Sequence, residues 1–576
     1  TLGPATALDL DPPTPNPAVF TSQPIAISYS EISMAAAGSD ASGWIQYRFD
    51  ETSGNPGGTG SGWQTSSSYT DEGLTPDTQY SYTVTMRDVF GNTTTASQPV
   101  AATTPTVTLA ELVDDRLAQM VQKNIDSPYP SISDPNNAPG VFSYALACLY
   151  LDQNVEQANQ LIVNFYTNNP IPGSDTTDFN GYFWQTIVWR IYHDPAMNAR
   201  LTSQTRDLIE DNMWLWLDTR SKLTEAQQDE WIIHDSENHD AMQKGSHMMC
   251  LIALKSSSRY GPDMVLADGG TITEHADAWT AFYMRYFRAR AMEGINVEIA
   301  CQQYARYTVG AYYNIMDFSD SPELRALAAT FMDLYWADTA SDWTRSGVRG
   351  GAETRVYKNG YLRKGTPYSF HALLWAYGWH ETAGATRTYA LIPTISSYRV
   401  PDIITASATD PARPNFLYSS RRFGRGGNWD GNRDYTVVFD NGDSNLRRDT
   451  WVTPDYTMGT FTVDMNKNYI ALLDQNRTMG VMFASGVNDR IMVFGKGGSA
   501  DLNKSFADLS GVTRADCMVV QRDKNAYEDG DATRVFLSTS AWTNGVENGG
   551  VVLHPVGQRL LRDQTRRRRL HRGERQ

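Results

Sequence analysis

The segment Thr108-Leu109-Ala110-Glu111 marks the point at which the sequence changes from an alternating to a helical pattern. Its threonine and glutamate have the spacing of a capping box, in which each side chain bonds the backbone N–H of the other residue. Apolar residues then recur at helical spacing, namely Leu109, Leu112, Val113, Leu117, Met120 and Val121. The segment predicts the first helix of a helical region that spans residues 105–395, with no strands between its helices, as in paired antiparallel helices.

Upstream of this segment, residues 21–104 alternate in polarity. Ile45, Tyr47 and Phe49 form one such run, and Gly-, Ser- and Asn-rich turns separate it from others, which predicts a small β-sandwich. The stretch Leu74-Thr75-Pro76-Asp77-Thr78-Gln79-Tyr80 resembles the turn-and-tyrosine pattern of fibronectin type III domains. Residues 1–20 are rich in proline and are interpreted as a linker or tail.

Downstream, residues 396–556 return to short β-type runs such as Met479–Phe483 and Arg490–Phe494, which predicts an antiparallel β-sheet domain. Residues 557–576 are Arg-rich and lack an apolar period, so we expect a disordered tail. The predicted fold class is therefore multidomain α+β: an N-terminal fibronectin III-like β-sandwich, a central helical domain and a C-terminal antiparallel sheet.

Composition bounds the function. The chain has 576 residues, 41% of them hydrophobic, and a formal net charge of −16, so it is globular and too long for one core. Eight arginines against one aspartate and one glutamate give residues 557–576 a charge of +6, which leaves −22 on the rest. This acidic body argues against nucleic-acid binding. No apolar run is long enough for a membrane span.

The start and the cysteines bear on location. The chain begins at Thr1 without an apolar leader, so we expect that a secretory signal has been removed and that the protein is secreted or periplasmic. Its four cysteines lie far apart with no CxxC motif, which favours free thiols over a zinc site. We expect a monomer that needs no cofactor and no metal.

Three polar clusters in the helical region are the candidate site. One runs from Trp231 to Asp240 and contains Glu237, Asn238 and His239. Another begins at Gly294 and leads through Glu298 to Tyr304, Arg306 and Tyr307, and the third is the Gly-rich basic loop from Arg345 to Arg355. Asn, His, Tyr and Arg together suit β-elimination at a uronic acid: an amide stabilises the developing charge, an imidazole takes the proton and a phenol protonates the leaving oxygen.

The order of a helical domain and a β domain, with Ser236-Glu237-Asn238-His239 and the later Tyr304-Ala305-Arg306-Tyr307, resembles the toroid-type polysaccharide lyases. These are the alginate, heparinase III-like and chondroitin AC-like enzymes, with an incomplete (α/α) toroid. The resemblance implies an acidic polysaccharide substrate, with Asn238 as carboxylate neutraliser, His239 as base and Tyr304, or else Tyr307, as acid. The predicted substrate contacts are Arg306, Arg349, Arg355, Glu237, Trp184 and His371, the last a loose counterpart of a later family histidine.

Other interpretations stay open. Asn238 and His239 also suit a helix cap, and tryptophans such as Trp184 at helical spacing are more often core than sugar platforms. An (α/α)-barrel glycoside hydrolase would instead pair a carboxylate of Asp235, Glu237 or Asp240 with a second one. A non-catalytic glycan-binding protein is the remaining alternative. A zinc site at His234, His239 and His247 is disfavoured because the spacing is not HExxH.

Overall fold

The computed structural model describes residues 9–128, 138–168, 181–234, 237–296, 298, 300–301, 304–353, 370–380, 383, 388–422, 436–437, 446–462, 478–487, 489–494, 509–522, 534–537, 546–548, 551–556 and 559–564. Two compact units divide the chain, residues 1–114 and 115–576. The protein is a mixed α+β molecule, with a β-rich region at its N-terminus and a β-sheet region toward its C-terminus. No helix in the described part of the chain is long and apolar enough to cross a membrane.

The first unit is built of two antiparallel sheets. Its strands are β1 (Phe20–Ser28), β2 (Glu31–Ala36), β3 (Gln46–Glu51), β4 (Gly62–Gln64), β5 (Ser68–Glu72), β6 (Gln79–Arg87) and β7 (Val100–Thr103). One sheet has the order β1-β2-β5 and the other β4-β3-β6-β7. Between them lies a core of alternating inward side chains that includes Phe49, Tyr80 and Tyr82, each fully buried.

The prediction of a linker over residues 1–20 is wrong for residues 9–20. Thr14 bridges to Ser39 through two backbone hydrogen bonds of 2.8 Å. Ala18 is buried in the core of the first unit, and Phe20 begins β1. The prolines of this segment prevent regular pairing, but they do not prevent it from packing.

The second unit begins with a long helical region. The helices are α1 (Leu109–Asp126), α2 (Ala138–Leu151), α3 (Val155–Asn168), α4 (Gly181–His193), α5 (Pro195–Ala199), α6 (Ser203–Arg220), α7 (Leu223–Ala226), α8 (Glu237–Lys255), α9 (Ile272–Glu293), α10 (Ala305–Phe318), α11 (Pro322–Ser341), α12 (His371–Ala376), α13 (Leu391–Thr394) and α14 (Asp402–Thr409). The capping box that starts α1 is confirmed, since Glu111 N donates to Thr108 Oγ1 at 3.2 Å and Thr108 N donates to Glu111 Oε2 at 2.9 Å.

The larger helices form two layers. Helices α2, α4, α8 and α10 pack against one another, with α8 in contact with both α4 and α10. Helices α3, α6, α9 and α11 cover them from outside, and each contacts at least one helix of the inner set. The inner helices carry the most buried segments, because side chains on almost every face of α8 and α10 meet another helix.

Two short strands of the sheet region lie between helices in sequence, and its other strands follow the helices. Its strands are β8 (Ile233–His234), β9 (Ala352–Glu353), β10 (Phe416–Arg422), β11 (Thr436–Val437), β12 (Leu446–Val452), β13 (Tyr456–Thr462), β14 (Thr478–Phe483), β15 (Arg490–Phe494), β16 (Leu509–Arg514), β17 (Cys517–Arg522), β18 (Arg534–Leu537), β19 (Val546–Asn548), β20 (Val551–Val556) and β21 (Arg559–Gln564). The main antiparallel sheet has the order β10-β12-β13-β14-β15-β18, and β9 pairs with β14.

Strand β21 corrects the prediction of a disordered tail over residues 557–576. Residues Arg559–Gln564 pair antiparallel with Val551–Val556. The sequence did not predict this strand, because its apolar residues, Leu560 and Leu561, are adjacent and do not alternate. The block Arg566 to Arg569 lies outside the described residues.

The Gly-rich loop after α11 enters the main sheet. A side chain at Gly351 would lie 2.1 Å from the Gly480 carbonyl oxygen and 2.5 Å from the Gly459 nitrogen, so three backbones touch where none has a side chain. Thr457 Oγ1 also donates to Gly350 O at 2.8 Å. The glycines predicted to approach an anion therefore serve a close approach between the loop and the sheet.

Candidate active site

Glu237, the first residue of α8, is held inside the protein. Its Oε1 atom accepts from Arg290 Nη1 at 2.6 Å, and its Oε2 atom accepts from Glu298 N at 2.7 Å. The side chains of Glu237 and Arg290 are 2% and 0% exposed, and the guanidinium lies 4.1 Å over the ring of Trp231. The predicted substrate contact at Glu237 is therefore an internal ion pair that anchors α8 to α9.

Asp240 is committed in the same way. Lys244, one turn further along α8, lies 2.8 Å from its carboxylate, and both side chains are nearly inaccessible. Lys244 Nζ also donates to Ile232 O at 2.8 Å. Two of the three carboxylates that a hydrolase could use are thus neutralised by buried cations, and Asp235 lies outside the described residues.

Asn238 and His239 follow Glu237 in the first turn of α8. Asn238 is fully buried, whereas the His239 side chain is only partly buried. Because consecutive residues of a helix point about 100° apart, the two side chains face different directions from the same turn. Of the pair, His239 is the more exposed side chain.

Tyr304, Arg306 and Tyr307 lie where α10 begins. The rings of Tyr304 and Tyr307 are 6.1 Å apart, and Tyr304 is buried while Tyr307 is half-buried. Arg306 Nη2 donates to Tyr307 Oη at 2.8 Å. A cation that donates to a phenol oxygen stabilises the negative charge that develops when the phenol gives up its proton.

Helices α4 and α10 run in the same direction. Asn314 Nδ2 donates to Thr186 O at 2.9 Å in the middle of both helices. Further along both, the His193 ring stacks on Phe318 at 5.4 Å. Because the residue numbers of the paired positions rise together, the N-terminal ends of α4 and α10 lie at the same end of the helical layer.

Helix α8 shares this direction. Its Met249 carbonyl accepts from His193 Nε2 at 2.8 Å, at the level of the C-terminal end of α10. One turn earlier, Gly245 faces Ala311 of α10 so closely that a side chain there would lie 2.9 Å from the alanine Cβ. The start of α8, with Asn238 and His239, and the start of α10, with Tyr304 and Tyr307, are therefore at one end of the inner helices.

This arrangement gives the site its electrostatic character. The N-terminus of a helix carries a partial positive charge and unsatisfied backbone N–H groups. Three long helices of 13, 19 and 14 residues direct these ends the same way. An anionic ligand is favoured there even though the body of the protein is acidic.

Two polar residues near this end were not singled out from the sequence. Gln185 of α4 is fully buried, and neither its amide nitrogen nor its amide oxygen has a hydrogen-bond partner in the described part of the chain. Thr308 Oγ1 in the first turn of α10 is in the same situation. Buried polar groups are normally paired, so these three atoms point to a polar occupant. The signal in the sequence was weak, since Gln185 sits in an otherwise apolar run.

Arg349 is not available to a substrate. It is 1% exposed, with Nη2 at 2.6 Å from Asp338 Oδ2 and Nε at 2.9 Å from Asp342 Oδ1. Arg448 of β12 contacts the same two carboxylates at 3.1 and 3.2 Å. Burial alone would raise the pKa of Asp338, but Arg448 and Arg349 together lower it to about 2. Arg349 therefore joins the helices to the sheet, and Arg355 lies outside the described residues.

Trp184 is part of an aromatic core. It stacks on Phe142 of α2 at 5.2 Å with an interplanar angle of 14°, and its edge contacts Phe165 and Tyr166. It is 8% exposed. Both faces needed for a sugar platform are thus largely covered, and the core interpretation of this tryptophan is the one that its contacts favour.

His371 lies against the loop that follows α11. Its ring is 3.7 Å from that of His380, and a side chain at Gly347 would lie 2.5 Å from its Nε2 atom. Burial lowers the pKa of His371 to about 3, with a smaller contribution from His380. The imidazole is therefore neutral, and Gly347 makes room for it.

The zinc site considered at His234, His239 and His247 would need three imidazoles to converge. His247 is fully buried, with Trp216 and Trp279 at 6.3 and 5.1 Å from its ring, and the side chain of His234 lies outside the described residues. Within the described ranges, the ligand-type side chains that converge in a group of three are Asp9, Asp40 and Asp88 of the first unit.

Comparison with known proteins gives little. No family model matches the chain, and no curated protein matches it. Among solved structures, the fibronectin type III domain of human fibronectin type III domain containing protein 3 is similar over 18% of this chain and 94% of that domain, at 18% identity and a TM-score of 0.13. A β-1,2-glucanase from Parabacteroides distasonis is similar over 65% of this chain at 12% identity and a TM-score of 0.25. The chain spans 64% of the length of that glucanase.

Proposed function

We propose that the protein is a polysaccharide lyase that cleaves a uronic-acid-containing polysaccharide by β-elimination outside the cytoplasm. In this proposal the inner and outer helices form an incomplete (α/α) toroid, and the first unit is a fibronectin III-like module. The observation that carries the proposal is the hydrogen bond of 2.8 Å from Arg306 to the oxygen of Tyr307. It prepares a phenol for proton transfer at the same end of the helices as Asn238 and His239.

The carboxylates argue against the hydrolytic alternative. A glycoside hydrolase needs two carboxyl groups that flank the bond to be cleaved. Glu237 and Asp240 are each engaged by a buried cation at 2.6 to 2.8 Å, which holds both carboxylates in internal ion pairs. Among the described residues named here, His239, Arg306 and Tyr307 are partly accessible.

Each residue has a role in the proposed step. The Asn238 amide donates to the uronate carboxylate and stabilises the enolate-like charge. His239 takes the proton from C5, and the electron pair of that C–H bond forms the C4=C5 double bond as the C4–O bond breaks. Tyr307, or Tyr304 beside it, gives a proton to the departing glycosidic oxygen. The products are one saturated chain end and one unsaturated uronate.

The arrangement of the helices supports an anionic substrate. Helices α4, α8 and α10 direct their N-terminal ends toward the region where the substrate carboxylates would lie, which favours negative charge there. Gln185 and Thr308 are buried one to two turns inside the helices at this end and have no hydrogen-bond partner among the described residues. We propose that they bind the substrate or a water that it contacts.

The test is a panel of alginate, glucuronan, ulvan and glycosaminoglycans, with ultraviolet absorbance followed over time. Elimination creates a double bond conjugated to a carboxylate, which absorbs, whereas hydrolysis creates reducing ends without absorbance. A rise in absorbance that keeps pace with reducing ends supports the proposal. Reducing ends without absorbance would establish the hydrolase, and retention of intact polymer without cleavage would establish a binding protein.

A further inference from the structure

A cavity of about 180 Å³ lies between the end of α9, helix α11 and strand β10. On the helical side it is lined by residues of the segment that follows α9, among them Asn296, and on the sheet side by Ser420. A water needs only about 10–15 Å³ on this measure, and pockets for drug-sized ligands start at about 300 Å³. The volume therefore suits a group larger than a few waters and smaller than an oligosaccharide, such as one sugar ring.

The cavity adjoins the candidate active site. The segment that lines it continues to Glu298, whose backbone nitrogen donates to Glu237 at the start of α8. Asn238 is the next residue along that helix. The lining segment also leads directly to Tyr304, through Ala300, which is itself part of the cavity wall. A polymer that reacts at the start of α8 and α10 can therefore extend into this cavity.

The polar wall of the cavity presents an acceptor that suits a ligand with a hydrogen-bond donor. Asn296 Oδ1 is buried and has no hydrogen-bond partner in the described part of the chain. The carboxylate of Asp338 is also part of the wall, but Arg349 and Arg448 already balance its charge. A buried acceptor without a donor is unfavourable. Because the charge is already balanced, a neutral hydroxyl suits the wall better than an ammonium group.

Tyr418 and Arg421 of β10 also line the cavity, and the rest of its wall includes apolar, accessible side chains. Met292 and Leu334 line the cavity and are 72% and 37% exposed. A pyranose ring has hydroxyl groups around its rim and C–H groups on its faces, which matches this combination of an acceptor on one side and aliphatic side chains on the other.

We propose that this cavity is a subsite that binds one ring of the polysaccharide, with a ring hydroxyl donating to Asn296 Oδ1 and a ring face against Met292 and Leu334. This inference rests on the proposed function, since it places the polymer relative to the reacting residues. The subsite recognises hydroxyl groups, and the carboxylate of the bound ring points away from Asp338.

The test is calorimetric binding of saturated hexasaccharides from alginate, glucuronan and hyaluronan, with cellohexaose as a neutral probe. Asn296→Leu removes the acceptor, and Ala291→Phe fills the cavity from an exposed position of α9. Asn164→Leu on the surface of α3 is the matched control. We expect at least one hexasaccharide to bind the wild-type protein and to lose about tenfold in affinity in both cavity variants, equivalent to one hydrogen bond, while the control keeps its affinity.

The subsite is refuted if no hexasaccharide binds the wild-type protein, or if the cavity variants bind as tightly as the control. The absorbance assay on the wild-type protein separates this result from the proposed function. Unsaturated product together with unchanged affinity in the cavity variants removes the subsite and leaves the lyase. Binding that depends on Asn296, together with cleavage that gives no absorbance, removes the lyase and leaves a sugar-binding cavity.

Discussion

Glu237 and Arg290 form an ion pair of 2.6 Å in which neither side chain is more than 2% exposed. The pair joins the first turn of α8 to the last turns of α9. Because it lies beside Asn238, it fixes the position of the proposed amide. Glu298 N donates to the second carboxylate oxygen, and the ring of Trp231 lies beneath the guanidinium.

We therefore predict that Glu237→Met destabilises the protein by about 3–5 kcal/mol, since it leaves a buried guanidinium without its counter-charge. The double variant Glu237→Met with Arg290→Met should recover most of this loss, because a buried pair can be exchanged for apolar side chains of similar size. The free energy of unfolding in urea measures both. Equal instability of the single and double variants would show that the charge balance is not the cause.

Tyr307 and Arg306 provide a test of the chemistry. We expect Tyr307→Phe to lower kcat by about 10²–10⁴-fold, as for loss of a general acid or base, with little change in melting temperature. Arg306→Gln, which keeps a donor but removes the charge, should lower kcat less.

Tyr304→Phe is the matched control for this prediction, since its ring lies 6.1 Å from that of Tyr307. If Tyr304→Phe abolishes the absorbance and Tyr307→Phe does not, the two phenols exchange roles. Full activity in both single variants would remove the phenol from the mechanism.

Apolar substitutions at Gln185 and Thr308 should raise the stability of the protein and lower its activity. Replacing a buried group that lacks a partner with an apolar one of the same shape removes a desolvation cost. We expect Gln185→Met and Thr308→Val to raise the free energy of unfolding by about 1–2 kcal/mol and to lower kcat/KM. Thermal unfolding and initial rates on the same preparations measure this. A loss of stability in both variants would show that the two side chains have partners in solution.

His247 makes stability depend on pH. Burial, with smaller contributions from Arg220, His275 and Lys244, lowers the pKa of His247 to about 3, whereas an unfolded histidine titrates near 6.5. Between these values the unfolded chain binds a proton that the folded protein does not, so stability falls as pH decreases below about 6.5. His193, whose pKa burial lowers to about 4, acts in the same direction.

We predict that His247→Leu reduces this dependence by about 1.4 kcal/mol per pH unit between about pH 6 and pH 4. Urea unfolding at several pH values gives the slope. Met248→Leu, a buried neighbour without a titratable group, should leave the slope unchanged. An identical slope in His247→Leu and wild type would mean that His247 is protonated in the folded state.

Local signals in the sequence predicted local structure well. The capping box at Thr108 was confirmed, because it depends on residues within one turn. The strands predicted at Met479–Phe483 and Arg490–Phe494 were also confirmed, since their alternation reflects a sheet with one buried face. The helical region extends past the predicted boundary, to Asp402–Thr409.

The sequence did not predict which residues that lie apart in the chain contact one another. Arg349 was interpreted as a substrate contact because nothing near it in sequence reveals that Asp338 and Asp342, on the preceding helix, face it. The proline-rich start was interpreted as a linker because its partners lie beyond residue 35. In the candidate site, the residue types at Asn238, His239, Tyr304 and Tyr307 were visible, but the common end of α8 and α10 follows only from helix packing.

The contact among Gly351, Gly459 and Gly480 bears on how this protein can be engineered. The three backbones are in direct contact there, and the helical and sheet regions can pack this closely only because none of the three residues has a side chain. A domain boundary at residue 395 would separate Gly351 from Gly459 and Gly480, since the loop that enters the sheet precedes this boundary in sequence. Exchange of the C-terminal sheet between homologues would need to carry residues 345–353 with it.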